Sequence, residues 1–398
     1  MTRTEEGLRA ALTAQETAAP RSETVLAGVR RGIVVRRRRS RLATGAAVAM
    51  ILLAGAAAVP LSLRRDLSSA APPATSCTAT ALPILAGLSS PRLPHINVNA
   101  MDGSGRYIVA STHDENNGAY TVMVWDQGQP SVLPPLAANL LPSAVNSHGV
   151  IAGAASTGPP DPTALTALPA IYSTGGLTML ALPAGYTHGV ATDINDTGDV
   201  VGSATNAKSE TVAVLWPAAA PGTVRLLAAS GNAAALSIAA DGTVVGAADT
   251  AAGTNDRPVL RRPYAWDADG QGRELPLPAG YPGGMAWQIR GDWAAGYAVT
   301  SFGAPTTSQG ATGVRVIWNM STGAMTSFEP PETVLPVAVN ARGDMASGAS
   351  LVHDGHTFTL PAPDGGTATA VAIDSTGTIL AGRANDRLSA TPVIVWHC

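Results

Sequence analysis

Cysteine occurs only twice in the 398 residues, at Cys77 and Cys398, and lysine once, at Lys208. Two cysteines allow one disulfide at most. A single lysine among the 25 basic residues reads as the codon bias of a GC-rich genome rather than as chemistry. Charged residues make up 13%, whereas glycine and proline together fill 72 positions (42 and 30). That balance argues against a helical bundle and favours many short strands joined by tight turns. Two catalytic signatures are also missing, G-x-S-x-G and H-E-x-x-H, which removes the serine-hydrolase elbow and the zinc-protease helix.

The charge that exists is unevenly placed. Residues 1–41 hold ten Arg and four Glu, and the net charge of the whole chain is −3. With Arg64, Arg65 and Asp66 adding one positive charge, residues 67–398 carry −10. An acidic body with few aromatics repels phosphates, so no nucleic-acid partner is expected. Leu42 to Leu63 is a 22-residue stretch without a charge. As a helix it would span roughly 33 Å, against a hydrocarbon core of about 30 Å. Arg30, Arg31, Arg36 to Arg39 and Arg41 precede it, and only Arg64 and Arg65 follow. The positive-inside rule then puts residues 1–41 in the cytoplasm as a basic tail, with 42–63 as a signal anchor. Residues 64–76, polar and proline-containing, read as a linker, and 77–398 as an extracytoplasmic body. The alternative is a cleaved secretory signal, for which AGAAA at 54–58 offers small residues. The tail resembles those of actinobacterial membrane proteins, some of which partner sigma factors. It lacks the His and the C-x-x-C pair of their zinc-type domains.

The body is repetitive. PSAVNSHGVIAGAA starts at Pro142, ATDINDTGDVVGSA at Ala191, ALSIAADGTVVGAA at Ala235, PVAVNARGDMASGA at Pro336 and AVAIDSTGTILAGR at Ala370. Two more divergent copies start at His95 and Ala286, making seven. Each reads as an apolar strand, a polar turn ending in Gly, and a second apolar strand. Asn or Asp closes such a turn with its side chain, and Gly supplies positive φ. A third strand ends in an aromatic at Trp125, Tyr172, Trp216, Trp266, Trp318 and Trp396. A fourth follows in SVLPPL, TMLALP, VRLLAA, RELPLP, MTSFEP and FTLPAP. The copy at Pro336 is compressed, with a short third strand. Four strands in about 46 residues is the period of a propeller blade, so the expected fold is all-β, a seven-bladed β-propeller. The third-strand aromatics are expected between blades.

The last copy ends after three strands. CTATALPIL (residues 77–85) carries the same LP mark as the other fourth strands and is expected to complete the seventh blade. Cys77 would open that strand and Cys398 would end the one beside it, so a Cys77–Cys398 disulfide is expected to staple the ring. The run AVLWPAAAPGTVRLLAASGNAAALSIAADGTVVGAA resembles the HAF-type extracellular repeats of bacteria. These have an aromatic strand, a Gly-containing strand and an A-x-x-I-N-x-x-G-x-V-x-G hairpin. The resemblance covers residues 77–398 and implies an exported propeller, with no activity attached.

Binding is expected on the face of the long second-to-third loops, 112–119, 156–168, 249–262 and 300–312. LPAGY occurs there twice, making Tyr186, His188 and Tyr281 the candidate ligand contacts, or else loop-packing residues. No catalytic residue, metal site or cofactor is assigned. His353 and His356 lack a third ligand, and Asp267 and Asp269 lack the closing Glu of a calcium loop. The Arg-Gly-Asp strings at 290–292 and 342–344 read as hairpin turns. The expected role is a membrane-tethered, monomeric, non-catalytic module for an extracellular protein or glycan. A propeller-type glycan hydrolase or lyase, and a transmembrane sensor acting through the tail, are the alternatives.

Overall fold

The computed structural model describes residues 76–85, 96–113, 120–136, 138–156, 167–249, 261–300, 312–333, 337–363, 366–384 and 393–398. The expected tail, anchor and linker fall in 1–75, outside the described residues. So do the tips of the four long loops, at 114–119, 157–166, 250–260 and 301–311. Among the described residues, no helix is long and apolar enough to cross a membrane.

These residues form 28 strands in seven antiparallel sheets of four. Six sheets are each drawn from one stretch: blade 1 from 97–132, blade 2 from 139–179, blade 3 from 186–226, blade 4 from 233–274, blade 5 from 283–333 and blade 6 from 337–359. Blade 7 takes three strands from 368–397, and its fourth is Thr78–Ala81 from the other end of the chain. The first strand of each blade touches that of the next around a complete circle. The architecture is a closed seven-bladed β-propeller. Cys77 and Cys398 are bonded beside the closing strand (S–S 2.02 Å).

The hairpin motif has a local physical cause. In blade 2, Asn146 Oδ1 accepts the N–H groups of His148 (3.1 Å) and Val150 (3.0 Å), while Gly149 takes φ 74°. Asn340 repeats the arrangement in blade 6, while in blade 7 Asp374 Oδ1 accepts the N–H groups of Thr378 (2.8 Å) and Ile379 (2.9 Å). The turns also bond blade to blade, since Asn146 Nδ2 donates to Asn195 O (3.1 Å) and Asn195 Nδ2 to Ala239 O (3.3 Å). A buried amide satisfied on both sides fixes both the turn and the neighbouring blade.

The V-x-G that follows is explained by a bulge. In blades 2, 3, 4, 5 and 7 the first strand slips register immediately after Pro142, Ala191, Ala235, Ala286 and Ala370. Opposite these residues stand Gly153, Gly202, Gly246, Gly296 and Gly382. A Cβ on any of the five would lie 1.9–2.2 Å from a first-strand carbonyl oxygen, closer than any real contact. Glycine is what lets the bulged backbone approach. Blade 1 has the bulge with Ala110 at this position.

The interior is divided among the blade interfaces. Separate buried clusters join blades 7 and 1, 1 and 2, 2 and 3, 3 and 4, 4 and 5, 5 and 6, and 6 and 7. The third-strand tryptophans sit in these seams. Their indole N–H groups also reach the chain leaving the preceding blade. Trp216 donates to Ala181 O (2.6 Å), Trp266 to Ala228 O (2.7 Å), Trp318 to Pro276 O (2.7 Å) and Trp396 to Pro361 O (2.6 Å). Trp125 donates to Pro83 O (2.8 Å), just past the closing strand. Tyr172 and Val352 hold the equivalent places in blades 2 and 6, opposite Ile151 and Met345.

One expectation is corrected in detail. The LP pairs are not strand ends, because the fourth strands stop earlier, as at Gly272–Glu274 and His356–Thr359. The Leu still donates its N–H to the third-strand side, Leu275 to Pro263 O (2.8 Å) and Leu82 to Val393 O (3.0 Å). Pro then cannot donate to a ladder, and its carbonyl is free for the indole.

Candidate functional site

The bulges point side chains at the propeller axis. The residue at each bulge and its successor line a central cavity of ≈ 100 Å³, reached from all seven blades. The bulge positions contribute Asn99, Ser143, Thr192, Leu236, Trp287 and Val371. The cavity lies toward the end of the inner strands that leads into the first-to-second hairpins, since Asp193, Ser237 and Arg290 are each within one residue of a strand end.

Its wall has two characters. Blades 6 and 7 present Val337, Val371 and Ala372, and blades 1 and 2 add Ala100 and Ala144. Blades 3, 4 and 5 present a polar network. Asp193, 4% exposed, accepts from Ser237 Oγ (2.5 Å), Ile238 N (3.0 Å), Ile194 N (3.0 Å) and Arg290 Nη1 (2.9 Å). Arg290 Nη1 is also shared with Ser237 Oγ (2.9 Å) and Ile289 O (2.7 Å). Arg290 occupies the position that Asn146, Asn195 and Asn340 hold in other hairpins, and it reaches two blades back for its partner. Such a pair bridges blades 3 and 5 past blade 4 and compensates the charge that burial would otherwise penalise. Gln288 Oε1 accepts Val339 N (2.7 Å), tying blade 5 to blade 6. Behind Trp287, Tyr297 lies at a ring separation of 6.3 Å. Burial pushes the Tyr297 phenol up to about 12, so it stays protonated and donates to Met285 Sδ (3.0 Å).

The residues expected from sequence lie elsewhere. Tyr186 opens the inner strand of blade 3 and packs on the seam between blades 2 and 3. Tyr281 precedes blade 5 and packs on the seam between blades 4 and 5. Both LPAGY segments form the same turn, with Tyr186 N bonded to Pro183 O (3.1 Å) and Tyr281 N to Pro278 O (3.2 Å). Gly185 and Gly280 both take φ 87° there. His188 Nδ1 lies 3.0 Å from Thr187 Oγ1. None of the three is among the residues lining the axial cavity. Sequence reasoning missed the axial cluster; its one signal was the irregular Arg290 at an Asn position.

A second cluster sits in blade 6. Asp344, His353 and Asp354 have ligand atoms within 4.8 Å of one another. Asp344 is already held by Arg342 Nη2 (2.8 Å), Asn340 Nδ2 (2.8 Å) and His353 Nδ1 (2.7 Å). Burial alone would raise its carboxyl; the hydrogen bonds from Asn340, Arg342 and His353 outweigh it and hold the group below the usual carboxylate range. A carboxyl whose folded value is depressed stabilises the fold above its unfolded value, and that contribution fades as pH falls through the folded one. Asp344→Asn is therefore expected to lower stability at neutral pH and to shrink the loss of stability on acidification. Urea midpoints measured from pH 7 down to pH 3 check this.

The site and topology define a disulfide-closed seven-bladed propeller with a polar axial cavity. The sequence matches no known protein family and no curated protein. Among solved structures it is similar to TolB from Acinetobacter baumannii (13% identity, TM-score 0.44), over 74% of this chain and 64% of that one. It is similar to the β-propeller domain of the Trilobed protease from Pyrococcus furiosus (8%, 0.49), over 77% and 93%. A gluconolactonase from Xanthomonas campestris matches at 13% and 0.39, over 81% and 95%. The chain thus spans less than two thirds of the A. baumannii TolB. Likenesses this distant transfer no activity.

Proposed function

We propose that the chain is a single-pass membrane protein of the actinobacterial type, holding a HAF-type repeat propeller outside the cell as a non-catalytic binding or interaction module. Residues 42–63 are the anchor, the propeller is extracytoplasmic and monomeric, and its partner is an extracellular protein or glycan. The observation that carries this reading is the Cys77–Cys398 bond closing the ring. Such a bond persists in an oxidising compartment, and it follows an apolar segment whose basic flank orients the body outward. The axial cavity supports the binding part. Among the described residues Asp193 is the one carboxylate lining it, and its oxygens are committed to Ser237, Arg290 and two backbone N–H groups. Glycoside hydrolysis ordinarily needs two carboxylates flanking the bond.

The test is topological. In intact cells carrying a C-terminally tagged chain, an external protease or an impermeant label should reach the tag. Deleting 42–63 should remove the protein from the membrane pellet. A tag protected in intact cells and exposed only on lysis would overturn the reading.

A further inference from the structure

We infer that the axial cavity is a binding site for a short-chain carboxylate. The inference deepens the ligand-binding reading above and rests on that part of it, not on the tether.

The hydrogen-bonding inventory of the cavity leans toward donors. Gln288 uses its Oε1 to accept Val339 N (2.7 Å), which fixes the amide so that Nε2 is the free end. Nε2 has no protein acceptor among the described residues. Arg290 spends Nη1 on Asp193, Ser237 and Ile289, while Nη2 makes only a 3.5 Å contact with Asp193 Oδ1. The Arg290 side chain is 31% exposed and lines the cavity, so N–H groups not spent on Asp193, Ser237 and Ile289 remain open to an occupant. Across the axis, Asn99 Oδ1 accepts Ser111 Oγ (2.9 Å), leaving its Nδ2 as a further donor. Asp193 and the two amide oxygens are occupied, whereas the amide and guanidinium donors are not; Thr192 Oγ1 spends its proton on Val201 O and Ala235 O, and Ser143 can donate or accept. An occupant must therefore bring acceptors, and a carboxylate oxygen pair suits a guanidinium edge and an amide N–H best.

Size and the apolar arc set the rest. A cavity of about 150 Å³ accommodates benzene, so ≈ 100 Å³ admits a smaller molecule. Val337 of blade 6 and Val371 and Ala372 of blade 7 fill the arc between the blade 5 donors and Asn99 of blade 1 and would receive an alkyl end. Acetate and propionate meet both requirements. For four or five heavy atoms the ceiling on affinity puts the Kd no tighter than about 3 to 40 micromolar.

The probe is sodium propionate, titrated into the full-length protein in detergent and free of carboxylate buffers. Calorimetry or ligand-observed NMR reports binding, with propionamide as the uncharged control. Propionate should bind at one site and propionamide at least tenfold more weakly. Gln288→Glu is the sharpest variant. It keeps the oxygen that accepts Val339 N–H, replaces the free donor with an acceptor, and places a negative charge against the ligand. It should weaken propionate binding at least tenfold with the urea midpoint unchanged. If it does not fold, Asn99→Leu serves on the opposite wall and should weaken binding severalfold. Absence of propionate binding to the wild type, or unchanged affinity in a folded Gln288→Glu or Asn99→Leu protein, overturns the inference. The surface-topology result stands or falls separately.

Discussion

Replacing Trp318 with alanine is expected to cost about 3–5 kcal/mol of folding stability, and replacing it with phenylalanine about 0.5–1.5 kcal/mol. The first figure follows from burial. Trp318 is 1% exposed in the seam between blades 4 and 5, against Val245, Ala265 and Leu275 of the preceding blade. Truncation leaves a cavity between two sheets that are each pinned by their other neighbours, so collapse is resisted. The second figure isolates the hydrogen bond. Phenylalanine refills most of the volume but leaves Pro276 O without the indole N–H that lies 2.7 Å away. Pro276 itself is exposed, so its carbonyl can turn to water and the loss is the net value of the bond. Trp287→Phe is the matched comparison, because Trp287 lines the axial cavity and is only partly buried. Its effect should stay below about 1 kcal/mol. Urea midpoints at constant m-value separate these cases. A Trp318→Phe protein as stable as wild type would show that the indole bond does not fasten the blades.

The sequence makes the blade count, the hairpins and the closing strand legible, because each is a local rule repeated. Asn146, Asn340 and Asp374 announce their turns by side-chain chemistry within five residues. The third-strand tryptophans are likewise legible as interblade core. Their second role was hidden: the indole partner lies 35–42 residues away, on a proline or alanine carbonyl that carries no side-chain signal. The LP pairs mark the ends of the fourth strands only approximately, because a residue without N–H ends a ladder. The axial site was the least legible. Whether Thr192 or Ala191 faces the axis depends on a one-residue bulge, and a slip of one exchanges the two faces of a strand. The Asp193–Arg290 pair joins residues 97 apart. In the sequence, Arg290 stood only as part of a turn.

The double substitution Cys77→Ser, Cys398→Ser is expected to lower stability by about 2–4 kcal/mol. The bond joins residues 321 apart, and a chain-entropy model gives a ceiling of about 5–6 kcal/mol for a loop of that length. The lower figure is expected because other contacts already hold the closure. Thr78–Ala81 pairs with Ile394–His397, Leu82 and Ile84 pack on the seam between blades 7 and 1, and Trp125 donates to Pro83 O. That ladder is only four residues long, with Thr78 and Thr80 exposed. Unpaired, it would leave the outer edge of blade 7 open. The loss should therefore be local before it is global. Hydrogen exchange in the double variant should speed up at residues 78–81 and 393–397, while the inner strands of blades 3 to 5 keep their protection. Equal protection throughout, with an unchanged urea midpoint, would show that the ring closes as well without the bond. The placement of the disulfide adds a directional consequence. Cys77 precedes the closing strand, so a load arriving through the chain ahead of it meets the covalent link before the hydrogen-bonded ladder. With the bond reduced, the same load would peel Thr78–Ala81 from its end, one residue pair at a time.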